Sequence, residues 1–148
     1  MNKFLFFLLV SLCITVIGCA QNDIIRSDYT IKSGSSFGMC VENCYQELSV
    51  NEYQVVLKIA DRINDDPEVF TKRTVANEEW NQILDQIDEE AFRALPEVIG
   101  CPDCAEWIEV QSLDLVKKIT FEYGNPPAEL AELATILREK RDDLFTDK

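Results

Sequence analysis

The residues of this chain that could do covalent or metal chemistry are its six cysteines, which fall in three places. Cys13 and Cys19 belong to an apolar N-terminal run, Cys40 and Cys44 follow a Gly/Ser stretch, and Cys101 and Cys104 bracket Pro102-Asp103. A thiol can bridge, ligate a metal or attack as a nucleophile, and its neighbours decide which. The chain has no histidine. That removes Ser-His-Asp and Cys-His nucleophilic sites, His-ligated zinc and imidazole proton transfer together. In Cys101-Pro102-Asp103-Cys104, proline at the second position of a four-residue turn suits type I geometry. Such a turn brings its ends within about 7 Å, the outer limit for a bridge. Cys40 and Cys44 would stand about 13 Å apart in an extended strand, so a bond between them needs a local loop. The stretch Gly34-Ser35-Ser36-Phe37-Gly38 supplies loop residues only up to Cys40. Two local bridges and a cross-pairing between the clusters therefore stand on equal footing.

The N-terminus reads as an address. One charge, Lys3, precedes Phe4 to Ile17, in which only Ser11 and Thr15 are polar. A membrane span needs about 20 apolar residues, whereas a secretory signal core is shorter and has a basic lead-in. The run ends in Val16-Ile17-Gly18-Cys19, which resembles the lipobox of bacterial lipoproteins. The resemblance implies a signal peptide at 1–18, a diacylglyceryl group on Cys19 with further acylation such as palmitate, and Cys19 as the first mature residue. It also implies a lipid-anchored place in the bacterial cell envelope. Ala20, where enteric lipoproteins kept at the inner membrane carry Asp, leans toward the outer membrane. Two or more acyl chains give stable anchoring at about 0.8 kcal/mol per buried CH₂. Residues 19–28 are then a tether, and 29–148 a single domain.

Charge and composition set further bounds. The chain has 148 residues, 47% of them apolar, with 14 basic against 27 acidic side chains and a net charge of −13. Losing Lys3 with the leader leaves 13 basic against 27 acidic, or −14. A nucleic-acid partner calls for a basic footprint and is not expected. So acidic a domain is repelled by anionic headgroups and should stand off the bilayer on its tether. With Cys13 removed and Cys19 lipidated, Cys40, Cys44, Cys101 and Cys104 remain, and an even count in an exported protein reads as disulfides. Two alternatives stay open. Four thiolates at those positions could close a zinc site, although the 57-residue gap between the pairs and Ala105, where knuckles carry Gly, depart from the pattern. A reactive Cys101/Cys104 couple needs a helix N-terminus, whereas Glu106 to Val110 alternates like a strand.

Strand patterns fall at Tyr29–Lys32, Tyr45–Val50, Tyr53–Ala60, Phe70–Val75, Trp107–Val110 and Leu115–Tyr123, with a two-residue hairpin loop at Asn51-Glu52. Asn77 is placed to cap a helix striped by Trp80, Ile83, Leu84 and Ile87. Glu89 to Leu95 is a second short helix ended by Pro96. A last helix starts after Asn125-Pro126-Pro127, with Leu130, Leu133, Leu137 and Leu144 on one face. Its Arg138, Lys140 and Arg141 are placed to suit the C-terminal dipole. The expected fold is α+β, an antiparallel sheet of about five strands with two main helices on one face. Trp80 and Trp107 read as core anchors, and Asp85, Asp88, Glu89 and Glu90 as a solvated helix side rather than an acid–base pair. Asp61, Asp65 and Asp66 miss the calcium-loop pattern, with Ile63 and Asp66 in the wrong places.

The motifs Ser36-Phe37-Gly38-Met39-Cys40 with Cys44, Glu79-Trp80, Phe92-Arg93-Ala94-Leu95-Pro96-Glu97 and Gly100-Cys101-Pro102-Asp103-Cys104-Ala105 with Trp107 are similar to those of small uncharacterised exported bacterial proteins. Relatives in that group carry Asp-Gly-Gly between the equivalents of Ala105 and Glu106, and this chain lacks it. The resemblance implies one α+β fold and a paired role for the four thiols. It brings no activity with it. The resulting expectation is a membrane-anchored lipoprotein without catalytic residues or cofactor beyond the Cys19 lipid, serving as a binding or structural module for an envelope protein or wall component. The alternative is a thiol–disulfide or zinc-dependent protein using Cys101 and Cys104.

Overall fold

The computed structural model describes residues 28–62, 64–100 and 105–146. The architecture is α+β. Seven strands, β1 (Thr30–Ser36), β2 (Tyr45–Val50), β3 (Gln54–Ala60), β4 (Glu68–Thr74), β5 (Val98–Ile99), β6 (Glu106–Gln111) and β7 (Val116–Phe121), form one sheet in the order β4-β3-β2-β1-β6-β7-β5. Helices α1 (Asn77–Leu84) and α2 (Glu89–Ala94) follow β4. A 3₁₀ turn at Ala128–Leu130 leads into α3 (Ala131–Thr146).

Two expectations about the sheet need correction. It has seven strands rather than about five, and it is mixed, because β5 pairs parallel to β7 through Val98↔Thr120 and Ile99↔Phe121. The two residues of β5 are too few to show a period. The Gly/Ser stretch is also not a loop through Ser36. Gly34, Ser35 and Ser36 continue β1, which is the middle strand of the sheet. What lets so weak a strand sequence hold that place is pairing on both sides, to β2 and to β6, over its whole length.

Register sorts the side chains between two faces. Ser33 lies in a row with Leu48, Leu57, Ile108 and Ile119, and Ile31 in a row with Val50, Val55 and Val110. Directly paired residues share a face, so these rows form one apolar surface. Trp80, Ile83, Phe92, Leu133, Leu137 and Leu144 of the helices close over it as a single core. Leu133, Ala134, Leu137 and Leu144 recur at helical spacing on one stripe of α3 against the sheet, and Leu130 of the 3₁₀ turn extends it.

The β2–β3 hairpin turns one residue later than expected. Asn51 N donates to Gln54 O at 3.0 Å, which leaves Glu52-Tyr53 as the loop. The Asn51 side chain accepts from the backbone N–H groups of Tyr53 and Gln54 at 2.9 and 3.0 Å. It works as an Asx acceptor, not as a residue with positive φ. At α1 the cap position is Ala76 rather than Asn77, and Glu79 reaches back to the Ala76 N–H at 3.4 Å.

The cations of α3 are not in its last turn. Two of the three serve tertiary pairing instead. Arg138 holds Glu106 of β6 through two hydrogen bonds of 2.7 Å, and Lys140 reaches Glu79 of α1 at 2.7 Å. Arg141 sits within the apolar stripe, 4% exposed, and its Nε and Nη1 have no hydrogen-bond partner among the described residues.

Candidate functional site

Of the residues singled out for chemistry, Cys13, Cys19, Cys101 and Cys104 lie outside the described residues. Cys40 and Cys44 are joined by a disulfide with Cα atoms 5.6 Å apart. The bond is local, so the pairing between clusters is not the one this structure holds. A zinc site using all four thiolates would first need that bond reduced. The loop the sequence lacked lies at Phe37–Cys44. It opens after β1 and is closed by Phe37 N donating to Cys44 O at 2.8 Å, with Asn43 at φ 54° in the left-handed region. Cys44 is buried, whereas Met39 and Val41 at the loop tip are fully exposed.

The flanks of the second cysteine segment are anchored at the same end of the sheet. Ala105 accepts a 2.7 Å hydrogen bond from the N–H of Ser36, the last residue of β1. Gly100, at φ 95°, follows Ile99, which pairs with Phe121. Under this end Glu106 is 1% exposed and fully engaged by Arg138 and by the N–H of Gly124 at 3.0 Å. Phe37 meets Tyr123 edge to face at 5.0 Å beside it. The result is an ion-paired platform below the Phe37–Cys44 loop, with Gly100 and Ala105 at the same end of the sheet.

The face of the sheet away from the helices is the other candidate. Successive pairings set Lys72, Val56, Ser49, Lys32, Glu109 and Lys118 in one row across β4-β3-β2-β1-β6-β7. The next row holds Val69, Lys58, Glu47, Gly34, Trp107 and Thr120. Trp107 is buried, 3% exposed, as expected of a core anchor, but on the face away from the helices and outside the cluster they cover. Its indole lies on Gly34: a Cβ there would stand 2.4 Å from Cζ2 of the ring. A glycine facing an aromatic across a strand pair lets the ring fill the missing side chain's space. Lys118 stacks on the same indole at 4.0 Å, and burial pushes its ammonium pKa down against the opposing pull of Glu109 and Glu47.

Farther along this face Glu47 accepts from the Tyr45 hydroxyl at 2.7 Å and pairs with Lys58 at 3.9 Å. Burial, then the hydrogen bond to Glu47, raise the Tyr45 pKa, so that phenol stays protonated. A concavity of about 370 Å³ opens between β1 and β4, with Lys32, Lys58 and Lys72 around a floor of Ser49 and Val56. These lysines were missed by sequence reasoning. Each sits at a polar position of an alternating strand, as Lys58 does between Leu57 and Ile59, but only the strand order brings the three together.

Two of the acidic candidates have structural work. Asp88 caps α2 by accepting from Ala91 N at 3.0 Å, and Glu89 binds the Tyr29 hydroxyl and Arg93. Asp61, Asp65 and Asp66 line a second hollow of about 350 Å³ at the β3–β4 turn. Among the described residues no group of three potential ligands is placed to hold a metal ion. Trp80, as expected, packs in the core. No protein-family model matches the chain, and no curated protein matches it either.

Proposed function

We propose that this chain is a lipid-anchored bacterial lipoprotein whose single α+β domain acts as a binding module in the cell envelope, akin to the small exported proteins whose motifs it carries. The observation that carries the exported reading is the Cys40–Cys44 disulfide, since such bonds persist in oxidising compartments and are rare in the cytosol. It joins the run Phe4–Ile17 and the Val16-Ile17-Gly18-Cys19 motif, which supports a diacylglyceryl group on Cys19. No helix among the described residues is long and apolar enough to cross a membrane. Binding is favoured over catalysis because the helices leave one sheet face bare, and a polar concavity opens on it. Membrane and soluble fractions of cells expressing the chain test the anchor. The parent protein is expected in the membrane fraction and the Cys19→Ala form out of it. Membrane retention of Cys19→Ala would overturn the lipid assignment.

A further inference from the structure

The bare sheet face differs in charge from the rest of the molecule. The chain carries −13 overall, yet Lys32, Lys58, Lys72 and Lys118 project from this one face against Glu47 and Glu109. Most cations elsewhere among the described residues are engaged. Arg73 and Lys140 hold Glu79, Arg93 holds Glu89, Arg138 holds Glu106, and Lys117 donates to the carbonyls of Arg93 and Leu95. On the bare face the pairs are loose: Lys32–Glu109 is 3.5 Å and Lys58–Glu47 is 3.9 Å. Lys72, exposed on edge strand β4, has no carboxylate partner among the described residues.

Geometry turns this surplus into a site. Lys32 and Lys72 stand three strands apart in one row, about 14 Å between Cα atoms at ordinary strand spacing. Between them lie only Ser49 and Val56, so both long side chains can lean inward over a low floor, with Lys58 in the adjacent row. We propose that this concavity binds the phosphate of a small phosphorylated sugar, with the three ammonium groups on the phosphate and Glu47, Ser49 and Gln54 toward the hydroxyls. Three lysines lining one hollow, Lys32 and Lys58 swinging in from their loose pairs with Glu109 and Glu47, supply point charges suited to a tetrahedral dianion, whereas planar carboxylates are matched by the arginine fork, which this face lacks. A volume of about 370 Å³ is that of a small-molecule site. A bilayer surface is disfavoured as the occupant, because the acidic remainder of the chain is repelled by anionic headgroups.

The inference rests on the reading of the domain as a binding module but not on its anchor. Calorimetric titration of the purified full chain in neutral detergent, with glucose 6-phosphate, glucose and inorganic phosphate as probes, tests it. Glucose 6-phosphate is expected to bind with a Kd below about 1 mM at low salt, at least about tenfold tighter than inorganic phosphate, while glucose gives no heat. Lys72→Gln and Lys58→Gln are each expected to weaken it about tenfold, and Arg93→Gln to leave it unchanged. Lys72 is exposed on an edge strand, so that variant keeps the fold, as circular dichroism would verify. Cys19→Ala is expected to bind like the parent, which separates loss of ligand from loss of anchor. Four results would overturn the proposal: no heat at about 10 mM glucose 6-phosphate, equal affinity for inorganic phosphate, full affinity in Lys72→Gln, or binding only to phosphatidylglycerol vesicles.

Discussion

Gly34 lies in the middle strand opposite Trp107, and a methyl group there has no space. Its Cβ would stand 2.4 Å from Cζ2 and 2.6 Å from Cε2 of the indole, and 2.6 Å from the Gln46 carbonyl oxygen. Ordinary carbon contacts are about 3.5–4.0 Å, so the ring would have to shift by about an ångström. The carbonyl belongs to β2 and cannot swing aside without breaking its pairing. Overpacking of this kind costs about 1–3 kcal/mol, and a backbone atom in the way puts the cost at the upper end. The better strand propensity of alanine returns about 0.5 kcal/mol. Gly34→Ala is therefore expected to lose about 2–3 kcal/mol. With a urea slope of about 2 kcal/mol/M, the unfolding midpoint should fall by about 1–1.5 M. Adding Trp107→Ala removes the ring contacts but not the carbonyl, so the double variant should be about 1 kcal/mol or more better than the sum of the singles. A Gly34→Ala midpoint unchanged within error, or strict additivity with Trp107→Ala, would refute the placement of the indole on Gly34.

Three further outcomes follow from named interactions. Glu79, hydrogen-bonded to Arg73 and then to Lys140, is held at a pKa of about 2 against an ordinary value of 4.5. A depressed carboxylate stabilises the fold above its unfolded pKa. That contribution should be present at pH 6 and fade as pH falls from about 4.5 toward about 2, and Glu79→Gln should flatten this part of a stability-versus-pH curve measured by urea melts. Arg138→Met leaves Glu106 buried without its cation, which should cost about 3 kcal/mol in a thermal or urea melt at neutral pH; a loss under about 1 kcal/mol would contradict the pairing. Replacing Cys40 and Cys44 together by serine opens a five-residue loop and should cost about 2 kcal/mol on chain-entropy grounds. Reductant should then lower the parent's midpoint but have less effect on the double variant.

Much of the architecture was written in local patterns. The stripes of α1 and α3, and the alternation in β2, β3, β6 and β7, give element types because burial on one side of an element imposes its period. What the patterns could not carry was pairing order. Gly34-Ser35-Ser36 looks like a loop by composition, yet two neighbouring strands make it the centre of the sheet. Trp107 has the residue type of a core anchor, but its parity on β6 turns it to the bare face. The cations of α3 looked like dipole partners, and their true partners Glu106 and Glu79 are 32 and 61 residues away in sequence. The lysine concavity was illegible for the same reason: Lys32, Lys58 and Lys72 become neighbours only once the order β4-β3-β2-β1 is known.

Export and tethering by acyl chains at Cys19 are read out together by the intact mass of the protein taken from the membrane fraction. The expected species is a polypeptide beginning at Cys19, heavier than its 130 residues by two or more acyl chains, that gains at least two alkyl groups only after reduction, as the Cys40–Cys44 bond requires. A chain that begins at another residue, or that carries an unmodified thiol at Cys19, would contradict it.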